Sequence, residues 1–186
     1  MFTGDEFGDG GESIADALKQ NGIKASFFFT GRFYRNKAFK RILRRLQADG
    51  HYLGAHSDAH LLYNDWSNRD SLLVTRKQFV EDLQKNYDEM QKRGVSKKEV
   101  PYFLPPYEWY NDTIAAWTKE TGLQLINFTP GTLSHADYTT PDARNYRSSD
   151  VIFNSITAYE QRYGLNGFIL LLHIGTDGKR TDKFYN

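Results

Sequence analysis

The sequence predicts an α/β fold built on a parallel sheet, because apolar and helical segments alternate along the whole chain. The apolar segments are continuous runs, which is typical of strands buried on both faces of a parallel sheet. The most apolar run covers residues 168–173, and a similar run covers residues 25–30. Either an open doubly wound sheet or a barrel would accommodate these elements.

Each predicted element ends at a recognisable stop signal. Strands are predicted at residues 1–4, 25–30, 51–55, 100–104, 123–128 and 168–173. Helical periodicity predicts helices at residues 12–20, 37–48, 70–92, 112–121 and 149–163. Glycine or proline follows most of them, as at Gly31, Gly94, Gly122 and the Pro105-Pro106 pair. Residues 130–145 are predicted to form a long polar connection.

Composition limits the kinds of partner that we expect. A chain of 186 residues is predicted to be one domain over residues 1–186, and its first strand is so short that we expect it to be truncated. A net charge of +1 gives no electrostatic reason to bind nucleic acid or an anionic membrane. No apolar run has the length of a membrane span. Because the chain has no cysteine, a metal site must use His, Asp or Glu.

Candidate chemical groups follow the carboxyl ends of the predicted strands. They are Asp5, Glu6, His56, His60, Tyr107 and His173. In parallel α/β folds these strand ends gather on one face, where ligand sites form. The spacing of His56 and His60 predicts that both lie on one face of a helical turn, where they can bind one cation. A metal, a carboxylate base and a histidine acid are the parts needed to hydrolyse an amide or an ester.

Each of these groups also has an ordinary structural interpretation. The histidine pair can be solvated or hydrogen-bonded, and Asp5 and Glu6 can be an acidic pair at a helix entry. His173 can be a hydrogen-bonded residue at a strand end. These alternatives stay open for each group taken alone. Taken together they are harder to accept, because unrelated structural roles would then have placed every candidate on one face.

The chain resembles the polysaccharide deacetylase family, the NodB-homology domain of carbohydrate esterase family 4, from Thr3 to about Gly175. Four of its motifs are similar to family motifs: Thr3-Gly4-Asp5-Glu6, Phe28-Phe29-Thr30-Gly31, Leu104-Pro105-Pro106-Tyr107 and Leu171-Leu172-His173. A fifth, His56-Ser57-Asp58-Ala59-His60, matches the family pattern completely. The resemblance implies a distorted, incomplete (β/α) barrel of about seven parallel strands.

The same resemblance implies roles for individual residues. Asp5 would be the catalytic base and His173 the acid that protonates the leaving group. Glu6, His56 and His60 would bind one divalent metal ion, zinc in first place, with cobalt, nickel and manganese as alternatives. The substrate-binding residues would be Tyr107, with its backbone N–H at the oxyanion, and Leu171 in the acetyl pocket; Trp109 is added as a candidate sugar-stacking residue.

Three positions depart from the family pattern. Glu6 replaces an aspartate, and Leu104 stands where the family has an arginine that orients the catalytic aspartate. The acidic residue that supports the acid histidine is expected after residue 128, where Asp137 is only a distant candidate. The metal site is therefore better preserved than the groups that support catalysis.

These features lead to a hypothesis and two alternatives. The leading hypothesis is a metal-dependent deacetylase of an acetylated carbohydrate. The residues themselves do not indicate a location, and the family resemblance implies an extracellular, periplasmic or cell-envelope one. The first alternative is a carbohydrate-binding or accessory domain that has weak or no turnover. The second is an amidase of a non-sugar substrate. Further candidates for sugar stacking are Tyr63, Trp66 and Phe128.

Overall fold

The computed structural model describes residues 1–185 and contains one six-stranded sheet. Its strands are β1 (Phe2–Gly4), β2 (Ser26–Phe29), β3 (Tyr52–Ala55), β4 (Tyr102–Phe103), β5 (Gln124–Leu125) and β6 (Leu172–His173). The order across the sheet is β5-β4-β3-β2-β1-β6, and every neighbouring pair is parallel. The predicted α/β class with a parallel sheet is confirmed.

The sheet is open, which agrees with the expected incomplete barrel, and it has six strands where about seven were expected. Within residues 1–185, β5 and β6 each pair with one neighbour and form the two edges. The connection over residues 130–148 contains the short 3₁₀ turn Ser134–Ala136 and no strand. It therefore provides no strand that could pair with both edges.

In residues 1–185, six α-helices accompany the strands. They are α1 (Gly11–Gln20), α2 (Gly31–Arg35), α3 (Lys40–Ala48), α4 (Arg76–Gln91), α5 (Asp112–Glu120) and α6 (Ser149–Tyr163). The short helix α2 was not predicted. Helix α4 begins six residues later than predicted, because Thr75 and Gln78 form a reciprocal capping box at its start. In the described part of the chain, no helix has both the length and the apolar character needed to cross a bilayer.

Alternation along β2 divides the apolar residues between the two faces of the sheet. Phe27 and Phe29 are fully buried in the main core, where helices cover the sheet. Phe28 lies on the opposite face and packs with Leu104 and Leu171 in a smaller cluster. The parallel strands are thus held between two apolar layers, and their carboxyl ends are left free to carry polar groups.

Candidate active site

A cavity of about 820 Å³ opens at the carboxyl ends of the strands. The sequence-predicted residues that line it are Asp5, Glu6, His56, His60, Tyr107, Trp109 and His173, together with the sugar-stacking candidates Trp66 and Phe128. Asp5 follows β1, His56 follows β3, and His173 ends β6. Because Thr3 pairs with His173 across β1 and β6, the two ends of the chain meet at this cavity. The fold thus brings the proposed base, acid and histidine pair to one place.

The segment that carries the two histidines is a loop, so the helical turn predicted from their spacing is wrong. Ser57 and His60 have φ values of 68° and 54°, in the left-handed region. The carboxylate of Asp82 on α4 accepts a hydrogen bond from Oγ of Ser57 at 2.6 Å. It also accepts from the backbone N–H groups of the two residues after Ser57, both at 3.0 Å. This buried carboxylate takes the place of helical hydrogen bonds in holding the loop.

A glycine allows α2 to lie directly against the same loop. The N–H of Gly31 donates to the carbonyl of Ser57 at 3.1 Å. A Cβ atom at Gly31 would collide with the carboxylate of Asp58, which pairs with Arg35. This close approach gives a structural reason for the glycine in the Phe28-Phe29-Thr30-Gly31 motif.

Both imidazoles of the pair are neutral near pH 7. Burial lowers the pKa of His56 to about 3, and the nearby His60 adds to the effect. Burial and the charge of Arg32 lower the pKa of His60 to about 4. Nδ1 of His56 lies 2.8 Å from the carbonyl oxygen of Leu104, so it donates there and leaves the lone pair on Nε2. This is the protonation state in which histidine binds a metal.

Asp5 is held by two neighbours that follow β2. Nε and Nη2 of Arg32 donate to its two carboxylate oxygens at 3.0 and 2.6 Å. The hydroxyl of Thr30 donates to the first of these oxygens at 2.7 Å. Leu104, which stands at the position of the expected arginine, is fully buried and presents no charge. An arginine from a different part of the chain therefore fixes the orientation of Asp5.

The imidazole and carboxylate groups are of the types that bind a divalent metal, but the carboxylate does not converge with the two histidines. The ring centroids of His56 and His60 lie 5.0 Å apart, and a carboxylate with two neutral imidazoles is a common donor set for zinc. The Glu6 side chain is 64% exposed, and its Oε1 lies 3.6 Å from Nη1 of Arg32. Within residues 1–185, no three His, Asp or Glu side chains converge as a metal site. The metal stays a prediction.

His173 has a direct carboxylate partner in Asp137. Oδ1 of Asp137 lies 2.6 Å from Nδ1 of His173, and its Oδ2 accepts from the backbone N–H of His173 at 2.8 Å. Burial alone would lower the pKa of His173, but the charge and the hydrogen bond of Asp137 outweigh it and raise this pKa. The imidazole therefore keeps its proton to higher pH, and its Nε2–H is available as a donor.

A second carboxyl group, Glu108, lines the same cavity. Burial raises its pKa to about 7, Asp137 adds to the rise, and His173 opposes it. Tyr107 and Glu108 have φ values of 59° and 55°, which are costly for residues with a side chain. The side-chain amide of Asn127 donates to the carbonyl of Glu108 at 2.9 Å and stabilises this turn.

Aromatic side chains line the mouth of the cavity. Trp66 lies 5.5 Å from Tyr107 and 5.6 Å from Trp109 between ring centroids. These three residues and Phe128 line the cavity, whereas Tyr63 is fully buried in the core and cannot stack on a ligand. Leu171, predicted for the acetyl pocket, is also fully buried and lies outside the cavity lining.

Sequence reasoning missed four of the groups that build this site. They are Arg32, Asp82, Glu108 and the direct pairing of Asp137 with His173. Arg32 lies 27 residues from Asp5, Asp82 lies 25 residues from Ser57, and Asp137 lies 36 residues from its partner. Arg32 and Glu108 carried a local signal, because each directly follows one of the motifs named above: Arg32 follows Phe28-Phe29-Thr30-Gly31, and Glu108 follows Leu104-Pro105-Pro106-Tyr107.

The chain is similar to known proteins over part of its length. A family model described as polysaccharide deacetylase matches residues 5–126. A chitin deacetylase from Colletotrichum lindemuthianum is 33% identical over 97 residues, which are 50% of this chain and 35% of that protein. A peptidoglycan-N-acetylmuramic acid deacetylase from Bacillus subtilis is 26% identical over 113 residues, which are 61% of this chain and 39% of that protein.

Solved structures agree with the fold. The wild-type structure of a carbohydrate esterase family 4 pseudoenzyme from Bacillus anthracis is similar, with a TM-score of 0.69 and 18% identity. The similarity covers 97% of this chain and 56% of that chain. The chain spans about half or less of the length of the curated relatives that it matches.

Proposed function

Because this chain belongs to the polysaccharide deacetylase family, we propose that it is a hydrolase that removes acetyl groups from a carbohydrate. The single observation that carries this proposal is the cavity that gathers Asp5, the Asp137-supported His173 and a neutral histidine pair. Base, acid and metal-binding donors are the groups that acyl transfer to water requires.

The chain's own residues supply both proton transfers. Asp5, whose carboxylate is held by Arg32 and Thr30, takes the proton from the water that attacks the acetyl carbonyl. His173, protonated with Nδ1 bonded to Asp137, donates its Nε2 proton to the departing nitrogen or oxygen. The C–N or C–O bond breaks, and the products are acetate and a free amine or hydroxyl group.

Glu6, His56 and His60 would hold a divalent metal, for which we propose zinc, with cobalt, nickel and manganese as alternatives. Bound there, it would supply Lewis-acid polarisation of the acetyl carbonyl and a lower pKa for the attacking water. The histidines support this assignment, because both are neutral and His56 has its Nδ1 already occupied by a carbonyl. His60→Ala is expected to abolish metal binding, and metal bound at wild-type affinity in that variant would contradict the assignment.

The substrate that we propose is an acetylated polysaccharide or oligosaccharide. Trp66, Tyr107 and Trp109 form an aromatic rim on which the apolar faces of sugar rings can pack. Relatives named for chitin and for peptidoglycan suggest an N-acetylated glycan of the cell envelope or its surroundings. An extracellular, periplasmic or envelope location is proposed on the same ground.

Acetate release tests the proposal. The protein is stripped of metal, reloaded with zinc, cobalt, nickel or manganese, and assayed on chitin oligosaccharides, peptidoglycan fragments and O-acetylated xylan fragments. We expect metal-dependent release that falls at least a hundredfold in Asp5→Asn and His173→Ala. Asp150→Asn, an exposed change on α6, is the matched control and should retain full activity.

An accessory domain without turnover is the second candidate. It is favoured by the buried Leu104 at the expected arginine position and by the lack of a gathered third metal ligand in residues 1–185. Arg32 and Asp137 argue against it, because they provide charge partners for Asp5 and His173 that were not expected from the sequence. Stoichiometric metal binding without acetate release on any of these substrates would select the accessory domain.

A further inference from the structure

The guanidinium of Arg32 touches both carboxylates of the acidic pair. Its Nε and Nη2 bind Asp5 at 3.0 and 2.6 Å, and its Nη1 lies 3.6 Å from Oε1 of Glu6. All three guanidinium nitrogens thus face Asp5 and Glu6, the proposed base and a proposed metal ligand. One cation compensates two adjacent negative charges.

Hydrogen bonds of the backbone fix the position of Arg32 in the fold. Arg32 is the second residue of α2, whose first turn is capped by the hydroxyl of Thr30 accepting from the N–H of Phe33. The N–H of Arg32 donates to the carbonyl of Asp58, inside the histidine loop, at 3.3 Å. The same helix start therefore holds Thr30 and Arg32 against Asp5 and ties them to the loop between His56 and His60.

This arrangement has two consequences of opposite sign. A two-point fork holds a carboxylate in one orientation, which favours proton transfer by Asp5. The same positive charge lies 3.6 Å from Oε1 of Glu6, the carboxylate that would bind the metal. A divalent cation bound by these residues would be repelled by Arg32 and would have to compete with it for Glu6.

We propose that Arg32 is a positioning residue that holds Asp5 for catalysis while it lowers the affinity of the site for a divalent metal. The first half rests on the proposed function, and the second half concerns metal binding alone. A residue with a merely structural role would change both properties in the same direction when it is removed.

Metal affinity tests the competition directly. Zinc is titrated into metal-free wild type, Arg32→Gln and Arg41→Gln in competition with a chromophoric chelator. We expect Arg32→Gln to bind zinc about tenfold more tightly, because glutamine removes the charge and keeps a polar side chain of moderate length. Arg41→Gln removes another exposed arginine, one that pairs with Glu12 away from the site, and should leave the affinity unchanged. Unchanged or weaker binding in Arg32→Gln would overturn the competition.

Turnover tests the positioning. With saturating zinc, Arg32→Ala should lose at least tenfold in kcat with a smaller change in KM, and millimolar guanidinium chloride should restore part of it. Urea, which is similar in shape but neutral, should restore nothing, and sodium chloride controls for ionic strength. Wild-type kcat in Arg32→Ala, or an equal response to urea, would overturn the positioning role.

The two measurements also separate this inference from the proposed function. If the wild type releases no acetate from any substrate, the proposed function fails and the positioning role fails with it. The zinc titration would still decide whether Arg32 competes with the metal. Thermal unfolding of each variant identifies any loss of affinity or turnover that comes from misfolding.

Discussion

At the scale of single residues, the site depends on charges that are held by partners far away in the chain. His173 is partly buried, and an imidazole in that position would lose its proton easily if Asp137 did not hold it. The carboxylate of Asp137 is itself almost fully buried, so little solvent screens the pair. The acid function of His173 therefore depends chiefly on Asp137, and Glu108 adds to the effect on its pKa.

We predict that Asp137→Asn moves the alkaline limb of the pH–rate profile to lower pH. Asp137 raises the pKa of His173, so its charge keeps the acid protonated as the pH rises. Without that charge, burial lowers the pKa, and kcat/KM at pH 8 should fall at least tenfold while activity near pH 5.5 changes less. Profiles of kcat/KM between pH 5 and 10 measure the shift. Asp142→Asn, an exposed change in the same connection, should leave the limb in place. A limb that does not move in Asp137→Asn would show that another group holds the proton.

Glu108 leads to a prediction about stability. Its folded-state pKa of about 7 lies above its ordinary value of 4.5, so the folded protein holds this proton where the unfolded chain has lost it. The resulting stability is complete below about pH 4.5 and is lost as the pH rises to about 7. Since a tenfold change in proton affinity is worth about 1.4 kcal/mol, the penalty above pH 7 is at most about 3 kcal/mol.

Glu108→Gln should remove this penalty. We expect the variant to gain up to about 3 kcal/mol over wild type at pH 8, relative to the difference between the two proteins at pH 4.5. Urea unfolding at both pH values measures this change. Glu99→Gln, an exposed change near the start of β4, should show no such pH dependence. A constant difference between Glu108→Gln and wild type at the two pH values would mean that Glu108 ionises normally in the folded state.

At the scale of elements, the sequence was most informative where the pattern is local. Sequence patterns predicted the α/β alternation and the span of α6. They also predicted that Asp5, His56 and His173 lie at or just after strand ends. Strand lengths could not, because a strand extends only as far as its neighbour pairs with it. The apolar run at residues 168–173 forms only the two-residue strand β6, since β1 beside it has three residues.

The histidine loop shows a second limit of local patterns. A spacing of four residues favours a helical turn, but a tertiary contact overrides it. Asp82 lies 25 residues from Ser57, and no local signal marks it as the acceptor for the loop. Asn86, one turn further along α4, accepts from the N–H of His56 at 2.9 Å and donates to the carbonyl of Phe29 at 3.2 Å. Side chains on one face of α4 thus determine the conformation of this loop, and the sequence of the loop alone does not.

We predict that Asp82→Asn disrupts this loop. The amide replaces one acceptor oxygen with a donor that faces the donors of the loop, so at least one hydrogen bond is lost and a polar group is buried unpaired. The free energy of unfolding in urea should fall by about 3 kcal/mol, and zinc affinity should fall with it as His56 and His60 lose their fixed positions. Asp88→Asn, an exposed change on the same helix, should cost less than 0.5 kcal/mol. Wild-type stability in Asp82→Asn would mean that the loop holds its shape without this carboxylate.

At the scale of the whole molecule, the segment after β6 fixes the wall of the cavity. Arg180 is fully buried, and its guanidinium donates to the carbonyls of Thr139, Arg147 and Asp182 at 2.8, 3.0 and 3.2 Å, and to the hydroxyl of Ser149 at 3.1 Å. These contacts hold residues 130–148 against the start of α6. That connection was predicted as a long polar segment, and it carries Asp137 to His173.

We predict that Arg180→Leu weakens the fold and the acid function together. Leucine fills part of the volume but leaves several buried carbonyl groups without donors, so unfolding should need about 3 kcal/mol less. Because Thr139 lies two residues from Asp137, a loosened connection should also weaken the bond to His173 and move the alkaline limb as Asp137→Asn does, by a smaller amount. Urea unfolding and the pH profile of kcat/KM measure the two effects. Lys179→Leu, an exposed neighbour, should change neither. If Arg180→Leu lost stability but kept the wild-type alkaline limb, Asp137 would be held by β6 alone, and the tail would stabilise the molecule without supporting its chemistry.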